Sequence, residues 1–194
     1  MSNISLSPEQ GGPWKPEDHL FTIKRGLYSG DALMYVIDKY HPKSLLEIGC
    51  GVNYFAKMAS LLGIDAWGIE PIEMGELSFC KERQLIIDAS EPFNLEKKFD
   101  LVICIEVIEH IPKEDTHKLI QNITDHCGYY LWFSGATPGQ GGIGHINEQE
   151  EKYWIELVSS YGFNLLTDDS VKIKSLAVTP SVRKNSLFFE KVDK

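Results

Sequence analysis

The chain has 194 residues, of which 43% are hydrophobic and 24% charged, a composition typical of a single globular domain. No apolar run approaches the ~20 residues of a membrane-spanning helix, and residues 1–10 lack the basic and apolar parts of a secretory signal, so we expect a cytoplasmic protein without a membrane partner. The net charge of −9 disfavours a nucleic-acid partner and favours a small-molecule substrate.

The first part of the chain is predicted to be an arm. Residues 1–30 begin with a stretch of Gly, Pro and Ser without periodicity, and we expect them to form an amino-terminal arm or lid. Four of its aromatic side chains either close over a substrate or pack in the core or on the surface: Trp14, His19, Phe21 and Tyr28. Residues 31–194 are predicted to form one domain, which opens with a helix over 33–40 that ends at His41-Pro42.

Short strands then alternate with helices. Strands are predicted at 44–48, 64–69, 84–87, 99–105, 129–133, 163–166 and 186–192. Helices are predicted at 53–62, 113–126 and 147–161, the last with Asn147 as its N-cap and Glu150 completing a capping box. Residues 168–185 contain Pro180 and no helical pattern, so the last two strands should pair antiparallel. The expected fold is α/β: a doubly wound, mostly parallel seven-stranded sheet with an antiparallel last strand.

Two further segments are predicted to lie near a substrate. Residues 134–145 contain five glycines between a strand and a helix, which indicates a mobile loop that gates the substrate. A basic cluster is expected on a solvated hairpin, with binding of an anionic substrate group as the alternative; its members are Lys172, Lys174, Arg183 and Lys184.

A glycine turn follows the first predicted strand. Gly49 and Gly51 flank Cys50 where a strand ends and a helix begins, and glycines there let the backbone lie against a nucleotide-type ligand. Glu70 ends the second strand, where a carboxylate can accept both hydroxyl hydrogens of a ribose. Tyr54 stands where a dinucleotide fingerprint has its third glycine, so NAD is disfavoured. The pattern predicts an adenosine site.

This arrangement resembles the S-adenosylmethionine (SAM) site of class I methyltransferases, which have a Rossmann-like fold: ExGxG after the first strand, an acid ending the second and an acid after the third. The resemblance implies that Glu70 binds the ribose, Asp88 the adenine amino group and the backbone of Ile105 the methionine ammonium. It departs from the commonest pattern at Asn53, where many members have glycine. The implied cofactor-binding residues are Glu47, Gly49, Cys50, Gly51, Glu70, Pro71, Ile72, Asp88, Ala89 and Ile105.

An E-x-x-E-H segment, Glu106 to His110, follows the fourth strand at the edge where open α/β folds bind ligands. It resembles the segments of two metal-using branches, the small-RNA 2′-O-methyltransferases and the ubiquinone-pathway O-methyltransferases. The resemblance implies a divalent cation, Mg²⁺ or Mn²⁺, on Glu106, Glu109, His110 and His145. The alternative is a site without metal, in which the segment shapes the pocket and His110 or His145 is the general base. The catalytic candidates are therefore Glu109, His110 and His145.

These patterns favour a SAM-dependent methyltransferase that methylates an oxygen of a small metabolite, with nitrogen as the alternative acceptor atom. One alternative is a metal-dependent RNA 2′-O-methyltransferase. The other is a SAM-binding regulatory protein without catalysis. No oligomeric state is predicted.

Overall fold

A seven-stranded sheet runs through the centre of the computed structural model, which describes residues 14–25 and 28–192. The strands are β1 (Ser44–Ile48), β2 (Asp65–Glu70), β3 (Gln84–Ile86), β4 (Phe99–Cys104), β5 (Cys127–Phe133), β6 (Phe163–Leu165) and β7 (Leu187–Lys191). The helices are α1 (Pro16–Arg25), α2 (Gly30–Tyr40), α3 (Tyr54–Leu61), α4 (Thr116–His126), α5 (Glu151–Ser160), α6 (Thr167–Leu176) and α7 (Pro180–Asn185). None of these helices has both the length and the apolar character needed to cross a bilayer.

The strand order is β3-β2-β1-β4-β5-β7-β6, with β7 antiparallel to both of its neighbours and the other pairs parallel. Every residue of β1 is buried, because helices cover both faces of the sheet. Successive side chains alternate between the faces: Leu46 packs in the cluster with α4 and α5, and Leu45 packs in the cluster with α2, α3 and α6. The predicted Rossmann-like sheet with its antiparallel last strand is confirmed.

The absence of helix predicted for residues 168–185 is wrong. This stretch forms most of α6 and all of α7, and Pro180 is accommodated at the start of α7, where its missing N–H has no intrahelical acceptor. The apolar pattern of α6 is weak because its buried face includes Asp169, whose carboxylate accepts hydrogen bonds from Lys39 and Tyr35. The basic cluster therefore lies on two helices and not on a hairpin.

The predicted capping box at Asn147 is also wrong. Helix α5 begins at Glu151, with Glu150 at its N-cap, and Asn147 lies in the preceding loop. The buried Asn147 amide donates to the carbonyl of Ile111 at 3.1 Å, and the carbonyl of Glu109 accepts from the backbone N–H of Ile146 and of Asn147. Asn147 therefore fastens the loop after β5 to the segment after β4.

The predicted arm is only partly described. Residues 1–13 and the side chain of Phe21 lie outside the described residues, whereas Trp14, helix α1 and Tyr28 are placed against the body of the protein. The indole N–H of Trp14 donates to the carbonyl of Ile143 at 3.3 Å, which joins the start of the described chain to the glycine-rich loop.

We expect Phe189→Ala to destabilise the fold by about 3–5 kcal/mol, the usual cost of removing a buried ring. Phe189 is fully buried on β7, where it pairs with Leu131 of β5 and Leu165 of β6. Chemical denaturation measures the loss. The control is Tyr129→Ala on β5, since that ring is 58% exposed; equal losses in the two variants would contradict the packing described here.

Candidate functional site

The carboxyl ends of the parallel strands open into a cavity of about 840 Å³. All of the predicted cofactor-binding residues except Ile72 line it. Glu106, His110 and His145 also line it, and Glu109 lies fully buried next to them. The glycine-rich loop, the start of the chain and α7 complete the wall through Gln140, Trp14 and Lys184. The cavity therefore brings together residues from distant parts of the sequence.

The glycine turn after β1 requires its glycines. Gly49 has a φ of 70°, and a Cβ there would overlap the side chain of Val107. Gly51 has a φ of 49°, and its added Cβ would lie 2.6 Å from Cε1 of His19. Asn53, where many class I methyltransferases have glycine, also has a left-handed backbone, a conformation that asparagine tolerates better than most residues. The turn thus keeps its shape despite the substitution.

Two buried acids lie under and beside this turn. Burial raises the pKa of Glu47 to about 8, although its carboxylate accepts a hydrogen bond from the N–H of Ala56 at 3.2 Å. Burial also raises the pKa of Glu70 to about 7, although the N–H of Gly51 donates to it at 2.8 Å and partly opposes the rise. Neither carboxylate forms an ion pair with a described residue. Buried acids of this kind cluster at functional sites.

A second cluster combines Glu109, His110 and His145. One ligand-type atom from each lies within 4.8 Å of the other two. Neither carboxylate oxygen of Glu109 accepts a hydrogen bond from a described residue, and Nε2 of His145 lies 3.8 Å from Oε1 of Glu109. Burial and then the charge of Glu106 raise the pKa of Glu109 well above its usual value. The cluster has the composition of a site for a divalent cation or for proton transfer.

The imidazoles of this cluster are each held through Nδ1. Nδ1 of His110 lies 3.2 Å from the carbonyl of Gly144, and Nδ1 of His145 lies 3.1 Å from the carboxylate of Glu148. Burial, followed by the neighbouring His145, lowers the pKa of His110 to about 4. His110 is therefore neutral at physiological pH.

Glu106, which the sequence groups with these three residues, is engaged elsewhere. Its backbone has a φ of 55°, and its carboxylate accepts hydrogen bonds from Ser134 at 2.8 Å, from Gln140 at 2.7 Å and from Asn185 at 3.1 Å. Three neutral donors thus satisfy this acid within the wall of the cavity.

Sequence reasoning missed the loop and helix residues that support the site. Glu148 binds His145, and Gln140 and Asn185 bind Glu106. No motif or periodicity marks these residues. Asn185 belongs to α7, which the sequence did not predict, and its position beside Glu106 depends on the long-range packing of that helix.

Comparison with known proteins gives consistent results. A family model described as a methyltransferase domain matches residues 30–168. The chain is 26% identical over 171 residues to a ubiquinone biosynthesis O-methyltransferase of Rickettsia canadensis (strain McKiel), covering 74% of this chain and 72% of that protein. In fold it is similar to the sugar N-methyltransferase KedS8 from Streptoalloteichus sp ATCC 53650, with a TM-score of 0.67, 16% identity, and coverage of 100% of this chain and 99% of that one. It is also similar to magnesium protoporphyrin IX methyltransferase from Synechocystis PCC 6803 with bound SAH (S-adenosylhomocysteine), with a TM-score of 0.64 and 18% identity. That match covers 92% of this chain and 86% of that one.

We expect Glu47→Gln to stabilise the protein at pH 8 and to leave its stability unchanged at pH 4. Below the ordinary pKa of 4.5, Glu47 is protonated in both the folded and the unfolded chain. Between 4.5 and about 8 the folded chain retains a proton that the unfolded chain releases, so the free energy of unfolding falls as pH rises. Glutamine does not ionise and keeps an acceptor for Ala56.

Thermal unfolding of the two proteins at both pH values measures this effect. A rise in Tm of at least about 2–4 °C at pH 8 is expected for the variant, which corresponds to about 1 kcal/mol in a domain of this size. The exposed Glu73→Gln is the control. An increase that is the same at pH 4 and pH 8 would show that ionisation of Glu47 is not its cause.

Proposed function

The chain belongs to the methyltransferase domain family and uses SAM as its methyl donor, and from this premise we propose that it methylates an oxygen of a small molecule. The observation that carries the proposal is the cluster of Glu109, His110 and His145 beside the cavity that also contains the glycine turn and Glu70. The name of the Rickettsia relative, an O-methyltransferase, supports the choice of oxygen as the acceptor atom.

The residues of the glycine turn fit the donor. Glu70 accepts one hydrogen bond, from Gly51, and has no positively charged partner among the described residues, so the ribose hydroxyls supply the further donors that this buried carboxylate needs. In this proposal Gly49 to Gly51 lie along the methionine and ribose, Pro71 and Ile72 flank the adenine, and Asp88 with Ala89 contacts its amino group. Glu47 lies below the turn, and the carbonyl of Ile105 accepts from the methionine ammonium.

A divalent cation, Mg²⁺ or Mn²⁺, fits the second cluster. Glu109 is a buried carboxylate with both oxygens unpaired, and the Nδ1 contacts of His110 and His145 leave Nε2 of each ring available as a ligand. When bound, the cation lowers the pKa of an acceptor hydroxyl. We assign it to these three residues, with Glu106 held outside by its three donors. In a site without a cation, His110 or His145 accepts the hydroxyl proton.

The arm and the location of the protein are part of the same proposal. Residues 1–30 act as a lid and residues 31–194 as the methyltransferase domain; Trp14 and His19 support this because both line the cavity. The cytoplasmic location expected from the sequence stays a prediction. The RNA and regulatory alternatives gain no support from the relatives, whose names describe enzymes that act on small molecules.

We expect Glu70→Ala to weaken SAH binding about 10- to 100-fold, because hydrogen bonds to a charged group contribute about 1.5–3 kcal/mol. Isothermal titration calorimetry measures the affinity, with SAH chosen because it is not consumed. The control is the exposed Glu73→Ala, three residues along the chain. If SAH binds Glu70→Ala as tightly as it binds the wild type, the donor does not lie against β2.

We expect Glu109→Gln to reduce kcat at least about 100-fold, whereas Glu114→Gln, an exposed change of the same charge, leaves it unaltered. The assay measures transfer of labelled methyl from SAM to a catechol, with Mn²⁺, with Mg²⁺ or with EDTA. Loss of transfer in EDTA supports the cation; retained transfer assigns the proton to His110 or His145. A parallel assay with short RNA tests the RNA alternative. Transfer to RNA or to amines, but to no hydroxyl compound, would refute the proposal.

A further inference from the structure

We propose that Glu148 is a positioning residue, which fixes the tautomer of His145 and couples that imidazole to closure of the glycine-rich loop over the cavity. This inference rests on the proposed function, since it concerns the cluster of Glu109, His110 and His145. Glu148 lies three residues beyond His145, on the same loop before α5.

The carboxylate of Glu148 is surrounded by three donors. Its Oε1 accepts from the N–H of Gly141 at 2.7 Å and from Nδ1 of His145 at 3.1 Å, and its Oε2 accepts from the N–H of Gly139 at 2.8 Å. All three neighbours present an N–H to it, so Glu148 acts as a hydrogen-bond acceptor in this loop.

An acceptor at Nδ1 determines where the proton of His145 lies. A neutral imidazole has one N–H, and beside the Glu148 carboxylate that N–H must be at Nδ1. Nε2 then presents its lone pair 3.8 Å from Oε1 of Glu109. In the other tautomer Nε2–H would point at Glu109 and could neither ligate a cation nor accept a proton. Carboxylates that orient metal-binding histidines in this way change metal affinity 10- to 100-fold.

The same carboxylate determines the course of the loop. Gly139 and Gly141 have φ values of 80° and 65°, and their N–H groups converge on Glu148. Gly142 follows with a φ of 155°, and a Cβ there would overlap Nε2 of His145, so the loop backbone packs directly against the functional nitrogen. Gln140, between the two anchored glycines, points to Glu106 and lines the cavity.

Closure of the loop and orientation of His145 therefore depend on one side chain. If residues 139–142 move away, Glu148 loses two of its three donors and Gly142 leaves the face of His145. The hydrogen bond between Nδ1 of His145 and Glu148 is then no longer supported by the backbone of the loop. The wall of the cavity and the position of the His145 imidazole therefore support each other through Glu148.

The test uses the whole chain with Glu148→Ala, Glu148→Gln and the control Glu150→Gln. Glu150 is an exposed acid two residues away, whose side chain forms no hydrogen bond with a described residue. Long-range ¹H–¹⁵N NMR of the metal-free protein at pH 8 reads the His145 tautomer, with the resonance assigned through His145→Gln. Titration with Mn²⁺ reads cation affinity, and SAH affinity reports that each variant is folded.

The wild type and Glu150→Gln should show His145 protonated at Nδ1, and Glu148→Ala should show a mixture of tautomers with Mn²⁺ affinity lowered about 10- to 100-fold. Glu148→Gln keeps one acceptor oxygen, so its Mn²⁺ affinity should fall less, by at least about threefold. If the alanine variant does not fold, the glutamine variant is used for the test. A His145 tautomer and Mn²⁺ affinity that stay unchanged in both Glu148 variants would overturn the inference.

The two proposals fail separately. If the wild type binds no Mn²⁺ while the tautomer still changes in Glu148→Ala, the cation is wrong and the positioning role of Glu148 stands. If Mn²⁺ binds equally well to the wild type and both Glu148 variants and the His145 tautomer does not change, the cation stands and the positioning role is refuted.

Discussion

Acids buried without positive partners are the constraint on which the site depends. Glu47, Glu70 and Glu109 come from the ends of β1 and β2 and from the segment after β4, and burial raises the pKa of each. A buried unpaired carboxylate destabilises a folded chain, and hydrophobic residues in these places would stabilise it more. They fit a ligand that supplies hydroxyl donors or positive charge, as SAM and a divalent cation would in the proposed function.

The convergence of these acids requires connections that lie outside the sheet. Parallel pairing of β1 with β2 and β4 brings the strand ends together, but it does not place the loop after β5. That loop is placed by the carbonyl of Glu109, which accepts from Ile146 and Asn147, and by the amide of Asn147. The backbone of Glu109 thus anchors the loop that contains His145, while its side chain faces the same histidine. These backbone and amide hydrogen bonds, and not a helix or strand, bring His145 next to Glu109.

The features of the fold and the site that depend on local sequence were predictable, whereas those that depend on contacts between distant residues were not. The strands were predictable because a buried parallel strand is apolar throughout, and the glycine turn because its backbone conformations need glycine or asparagine. Helix α6 was not predictable, because its buried face contains Asp169. The hydrogen bonds to this carboxylate come from Lys39 and Tyr35, more than a hundred residues earlier in the chain. For the same reason, the grouping of Glu106 with Glu109 by sequence spacing gave no indication of the donors from Gln140 and Asn185.

The charges of the acids around the cavity connect the stability of the empty protein with the binding of SAM. Glu47, Glu70, Asp88 and Glu106 all line the cavity, whereas Lys184 contributes a positive charge from α7. SAM has a positive sulfonium and SAH does not, so in the proposed site those of these acids that are ionised would favour SAM over SAH. A ligand that binds only the folded chain also stabilises it. The acids that weaken the empty protein therefore make its stability depend on the donor, and loss of the methyl group removes the charge that favoured binding.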